Sequence, residues 1–352
     1  MRKESLDFLR EMISTPSPSG FEQPVQKVFA KYVKPFVDEI RRDVHGNAMA
    51  LKNADAPLRV MLAGHCDEIG LMIKHISKEG FLHVAQLGGM DTNLLPGMRV
   101  TIHGKGGTVT GVIGRKPIHK MEKQEMDKSP KTHELWVDIG AKDRKDAEKV
   151  VSVGDPITFD VPLRDLRSGL VTGHGFDDKA GVFVVAETMR LLARRKTKVA
   201  VFGVSTVQEE VGLRGARTSA HGIDPHVGIA IDVEFSGDTP GDDKRQVGEV
   251  TLGKGPVICR GPNINPILGD LLENTAKKSK VPFQRLGEPR ATGTDANAIQ
   301  ITRAGVAAAL IGVPNRYMHS PAEVVSLKDM ENAAKLIAEF IASLDPKTDF
   351  RP

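Results

Sequence analysis

The sequence is short of cysteine, of large aromatics and of net charge, and each shortage removes a class of answers. It has two cysteines, Cys66 and Cys259, in 352 residues. Both sit in apolar runs, so they make neither a secreted disulfide framework nor a zinc knuckle. One Trp and two Tyr supply a sugar-stacking cleft poorly. The net charge is +4, from 49 basic and 45 acidic residues with no long basic stripe, which argues against a nucleic-acid partner. The run Arg194-Arg195-Lys196 reads as the cationic close of a helix. No stretch approaches the roughly 20 apolar residues that span a bilayer. The charged start MRKESLDFLREMI lacks the apolar core of a signal peptide. A cytoplasmic protein with no membrane partner is expected.

Hydrophobic residues make up 40% of the chain, enough for a sizeable core, and the length fits two domains or one domain with a large insertion. Leu6, Phe8, Leu9, Met12 and Ile13 recur at helical spacing and stop before the breaker cluster Thr15-Pro16-Ser17-Pro18-Ser19-Gly20. A second helix follows, with Val25, Val28, Phe29 and Val33 on one face. Residues 58–63 read as a buried strand ending at Gly64-His65. From 69 to 162 short β-rich pieces alternate with glycines, which predicts an inserted small all-β barrel, with a polar mobile loop at Lys116–Lys131. Then α/β alternation resumes: a helix at 178–194, a strand at 198–205, a helix from Gly212, strands at 227–232 and 306–312, and helices at 266–279 and 327–344. The fold class is α/β, a mixed and mostly parallel sheet flanked by helices. Residues 1–68 and 163–352 form the main domain and 69–162 the insert.

Candidate chemistry collects at strand ends. His65 and Asp67 follow the first strand, Glu209 and Glu210 the second, Asp232 ends the third, and His319 lies in the loop after the fourth. Ligands in open α/β sheets bind beyond the carboxyl ends of strands. Asp177, just before a helix, joins them if that helix returns from the same edge. Two imidazoles among three carboxylates are costly to bury unpaired, and a divalent metal removes that cost. The mixed N/O set suits zinc, cobalt or manganese. Five ligands with one shared carboxylate suit two ions about 3.5–4 Å apart, which acidify a water for attack. Glu209, beside Glu210, is then the base. Taken singly, each residue is more ordinarily a cap or a surface group; the shared strand-end position lifts them together. His75, His83, His103, His119 and His133 in the insert read as structural.

The segments that carry these residues resemble those of a known family. Gly64-His65-Cys66-Asp67-Glu68-Ile69-Gly70 resembles its GHxDEIG motif, and Gly175-Phe176-Asp177-Asp178-Lys179-Ala180-Gly181 its GxDD(K/R)xG motif. Gln208-Glu209-Glu210-Val211-Gly212 is similar to QEExG, and Met318-His319-Ser320-Pro321-Ala322-Glu323 to (Y/M)HSPxE. Asp232-Val233 falls where a ligand Asp ends a strand, and Ser17–Glu22 and Gly293–Ala296 also match. This is the tetrahedral (TET) aminopeptidase family of glutamyl and leucyl aminopeptidases, some labelled endoglucanases. The resemblance implies His65 and Asp232 on one ion, Glu210 and His319 on the other, and Asp177 bridging. It implies Glu209 as general base and Asp67 as the group that holds the His65 ring. It further implies two divalent ions per subunit, zinc or cobalt, small peptide substrates, and a homo-oligomer in which the insert makes dimers that assemble to a dodecamer. Cys66 departs from the pattern and is expected to point into the core.

Rival readings stay in view. A glycosidase wants two carboxyls about 5–10 Å apart across an aromatic cleft, which Glu209-Glu210 suits badly. A related di-metal carboxypeptidase or deacylase would need an Arg clamp, for which Arg290, Arg303 and Arg316 are candidates. A non-catalytic peptide-binding shell would have no use for Glu209. Gly104-Lys105-Gly106-Gly107-Thr108 lacks phosphate-loop spacing and reads as a hairpin turn. His174 reads as structural or supporting, and Asp177 is chosen over Asp178 as the bridge.

Overall fold

A computed structural model describes residues 1–352, the side chain of Glu125 excepted. The chain opens with the helix Lys3–Ser14, whose Phe8, Leu9, Met12 and Ile13 are buried. It stops before Pro16, which holds the preceding residue out of the helical region. The helix Gln23–Val33 follows, then strands β1 (Glu39–Arg42), β2 (Ala48–Lys52) and β3 (Arg59–His65).

Six strands come next: β4 (Gly70–Ile76), β5 (Leu82–Leu87), β6 (Arg99–Gly104), β7 (Gly107–Gly114), β8 (Trp136–Asp138) and β9 (Pro156–Phe159). All pair antiparallel and close into a barrel in the order β4-β5-β8-β7-β6-β9. Closure leaves no free edge. Alternate residues such as Leu71, Ile73, Val100, Ile102 and Ile157 fill its centre. The Gly104–Thr108 run is the β6–β7 hairpin, as expected. Within Lys116–Lys131 lie two short turns of helix, Ile118–Lys120 and Lys123–Met126.

The remaining strands are β10 (Arg164–Asp165), β11 (Leu170–Gly173), β12 (Ala200–Thr206), β13 (Val227–Phe235), β14 (Val257–Arg260), β15 (Gln284–Gly287), β16 (Ala307–Arg316) and β17 (Glu323–Ser326). With β1–β3 they form an 11-stranded sheet whose main path is β1-β2-β12-β3-β13-β16-β17-β11-β10. The four central strands β12, β3, β13 and β16 are parallel, and antiparallel strands flank them. Being covered on both faces, the central strands are almost wholly apolar. One face carries the helices Phe176–Leu192, Pro266–Lys278 and Leu327–Ser343 together with the N-terminal pair. The other carries Arg214–Ile223 and Asp295–Gln300. Asn265 and Ser326 cap two of these helices by accepting the N–H of Leu268 and Asp329. The architecture is therefore the mixed α/β sheet with an inserted barrel.

Two spans differ from the sequence reading. β13 does not end at Asp232 but runs to Phe235, because β16 pairs with it as far as Phe235↔Asn315. The hairpin β1–β2 and the flanking β11 and β17 lie outside the spans marked in the sequence; each has only four or five residues.

Candidate metal centre

Parallel pairing brings the carboxyl ends of β12, β3, β13 and β16 to one edge. His65 is the last residue of β3, Glu209-Glu210 follow β12, Asp232 lies on β13, and His319 follows β16. β3 and β13 are paired only as far as Ala63↔Ala230. Two residues on, His65 and Asp232 stand level but unpaired, with Nε2 3.9 Å from Oδ1. The sheet parts there, and the turn Asp177-Asp178 at the head of the helix Phe176–Leu192 enters the gap. Glycine permits this approach: a Cβ on Gly64 would lie 2.6 Å from the Gly181 carbonyl carbon, and one on Gly181 would collide with the Asp178 carboxylate.

Asp177 faces both imidazoles. Its Oδ1 is 3.1 Å from His65 Nε2 and its Oδ2 is 3.3 Å from His319 Nε2. Each imidazole has further carboxylates at hand: Glu209 Oε2 at 3.8 Å from His65, and Glu210 Oε2 at 3.8 Å from His319. Asp178 is differently engaged, accepting the N–H of His65 at 3.1 Å and of Gly181 at 2.8 Å. His65 Nδ1 lies 3.0 Å from the Asp67 carbonyl oxygen and 3.5 Å from its carboxylate. That carboxylate accepts the N–H groups of Glu209 and Glu210 and the hydroxyl of Ser19, so Asp67 ties three segments together.

Charge is lopsided here. Burial, with Asp232, Asp295 and Glu210 nearby, pushes Glu209 up to about 10 against the pull of His65. Burial and the charge of Asp177 likewise push Glu210 well above its usual value. Asp178 and Asp232 are pushed up for the same reasons, burial first. Asp177 is held below the carboxylate range, where hydrogen bonds from His319 and His65 outweigh its burial, and Asp67 is lowered too, by His65 and Ser19 against its burial. Glu210 Oε1 is buried without a hydrogen-bond partner among the described residues. Crowded buried carboxylates stay ionised only with a cation among them, and otherwise take up protons. Two sets of donor atoms lie within 4.8 Å of one another, His65 with Asp177 and Glu210, and His65 with Asp178 and Asp232. The residues present fit a divalent metal.

Comparison with known proteins agrees. A profile described as M42 glutamyl aminopeptidase matches residues 46–336. The chain belongs to the M42 glutamyl aminopeptidase family. As a member it is a metal-dependent aminopeptidase, a hydrolase acting on peptide bonds. It is 37% identical to a lysyl aminopeptidase of Pyrococcus furiosus over 98% of this chain and 99% of that one. The TET aminopeptidase of a Thaumarchaeota archaeon superposes with a TM-score of 0.93 at 36% identity, covering 98% of both chains. The TET1 peptidase of Pyrococcus horikoshii, described as assembling into a tetrahedron or a large octahedral shell, gives 0.87 at 30% identity over 97% of this chain and 100% of that one.

Several residues that support this candidate centre sit within the quoted motifs but had no role assigned from sequence. Lys179, fully buried, donates to Glu68 at 2.7 Å and to the Thr15 carbonyl at 3.0 Å. Glu68 also accepts the Ser17 N–H, which fastens the N-terminal loop beneath the site. Glu323 accepts the Asp177 N–H at 3.2 Å and an N–H of Asn315 at 3.1 Å. Asp295 accepts the Thr206 hydroxyl at 2.6 Å. Their signal was the motif itself, since a single charged residue at or near the start of an element has no periodicity to betray it. Cys66 is buried in the apolar core, as expected. His174 lies against Phe159 with its Nε2 3.1 Å from the Ile69 oxygen, and does not line the cavity over His65.

Proposed function

We propose that this M42 aminopeptidase is cocatalytic, with two ions held by His65, Asp177, Glu210, Asp232 and His319, and with Glu209 as general base. The observation that carries this reading is Asp177, one carboxylate with an oxygen toward each of two imidazoles. Asp178 has both oxygens committed to backbone N–H groups, which supports Asp177 as the shared ligand. When bound, two divalent ions supply the positive charge that keeps these carboxylates ionised and makes an attacking water acidic. Glu209 borders the same cavity of about 330 Å³. It takes the proton of that water and returns it to the leaving amine. Asp67 fixes the Glu209 and Glu210 backbone, so base and ligand move as one unit.

Among the described residues no Lys or Arg lines the cavity. Arg316 is engaged by Asp238 and Arg303 by the His221 carbonyl, which leaves a carboxypeptidase without those clamps. Zinc or cobalt is the metal the N/O donor set supports. We assign residues 69–162 to a dimerisation domain and the chain to a dodecamer, assembled from dimers, that admits small peptides, by likeness to the TET peptidases. Two free buried cysteines support a cytoplasmic setting; among the described residues no helix is long and apolar enough to cross a membrane. Free-amine amino-acid anilides should be cleaved, lost on chelation and restored by zinc or cobalt. Cleavage of N-acetylated peptides in their place would overturn the reading.

A further inference from the structure

The extension of β13 past Asp232 carries a second carboxylate into the site. Side chains alternate along a strand, so Glu234 leaves β13 on the face of Asp232, about 6–7 Å further on. Gly312 on β16 makes room for it, since a Cβ there would lie 2.6 Å from the Glu234 Cβ. Glu234 lines the same cavity as His65, Asp177, Glu209 and His319. Its Oε1 accepts only the N–H of Phe235, and its Oε2 meets the Cys259 thiol at 3.6 Å. Among the described residues no Lys or Arg pairs with it, and Glu288 adds negative charge nearby. Phe235 and Met318 provide apolar wall beside it.

A substrate side chain entering from the scissile end therefore meets an apolar stretch and then a carboxylate that lacks a counter-ion. We infer that Glu234 is the specificity residue of this aminopeptidase and selects lysine or arginine at the substrate N-terminus by pairing with the terminal cation. The inference rests on the aminopeptidase reading above. The four-carbon stem of lysine suits the spacing from Asp232 to Glu234. An aliphatic residue would leave the carboxylate desolvated and unpaired. A glutamate would meet like charge with no cation to receive it.

The test compares lysine, norleucine and glutamate p-nitroanilides on the metal-replete enzyme. Norleucine keeps the lysine stem and lacks its ammonium. Lysine is expected to exceed norleucine about 10–100-fold in kcat/KM, the worth of one charge-assisted bond, chiefly through KM, and glutamate to be slowest. In Glu234→Gln the lysine-to-norleucine ratio should collapse toward one, and Glu234→Asp should restore a lysine preference. Equal or faster cleavage of norleucine by the wild type would overturn the inference while leaving the aminopeptidase reading intact. So would an equal loss on lysine and norleucine in Glu234→Gln, the mark of a group that binds the α-amine. Silence on every free-amine anilide would overturn the aminopeptidase reading, and this inference with it.

Discussion

The barrel and the sheet edge bury opposite kinds of side chain. Across β4–β9 the buried set is aliphatic with Phe159, and Thr158 is the one buried polar residue among those described. At the edge of the sheet Asp67, Asp177, Asp178, Lys179, Asp232, Asp295 and Glu323 are all buried. The first region is stabilised by apolar area removed from water. The second costs stability in exchange for chemistry, and is sound only where each charge has a partner or a cation. Substitutions should therefore act on different observables in the two regions.

The largest effect separates chemistry from stability. Glu209→Gln should cut kcat/KM by about 10²–10⁴-fold, the range for loss of a general base, while metal content and melting temperature hold. A matching fall in melting temperature would show that Glu209 serves the fold instead. Next comes the buried pair beneath the site. Lys179→Met leaves Glu68 unpaired and should cost about 3–5 kcal/mol in urea unfolding. Adding Glu68→Leu should recover much of it; no recovery would mean the pair matters through Thr15 and Ser17 instead. In the barrel, Ile102→Val should cost only about 0.5–1.5 kcal/mol, with the same increment before and after chelation. An increment that changes with chelation would erase the contrast between the two regions.

The smallest effect is electrostatic and lies away from both. Glu273 on the helix Pro266–Lys278 receives hydrogen bonds from Arg285 and Arg260. The Arg285 bond first, and Arg260 with it, lower its pKa from 4.5 to about 2. A depressed folded-state pKa contributes stability that is full above 4.5 and lost as pH falls toward 2. Glu273→Gln should thus lower the urea midpoint at pH 7, and the difference from wild type should shrink as pH falls through that window.

Strand-end placement made the positions of His65 and Glu210 at the sheet edge legible in the sequence, because apolar runs mark central strands and polar residues mark where they stop. The same rule misplaced the end of β13. Asp232 and Glu234 interrupt the apolar run, yet pairing with β16 continues, so a strand boundary drawn from hydropathy fell three residues short and put Glu234 out of sight. Asp177 and Asp178 are adjacent and chemically identical; what tells them apart is spatial, Asp177 facing His65 and His319 while Asp178 accepts backbone N–H groups. Lys179 is invisible for another reason, since Lys is ordinarily exposed and its burial depends on Glu68 arriving from β3. The barrel was readable as a texture of short strands and glycines. Its strand order comes from pairings that link residues far apart in sequence, such as β4 with β9.

The central claim is that Asp177 joins two metal sites. Metal content per chain, measured by plasma mass spectrometry on dialysed wild type, Asp177→Ala and Asp178→Asn, tests it most directly. The account expects two ions in the wild type, near-complete loss in Asp177→Ala, and retention in Asp178→Asn. A single ion in the wild type, or both ions kept in Asp177→Ala, would contradict it.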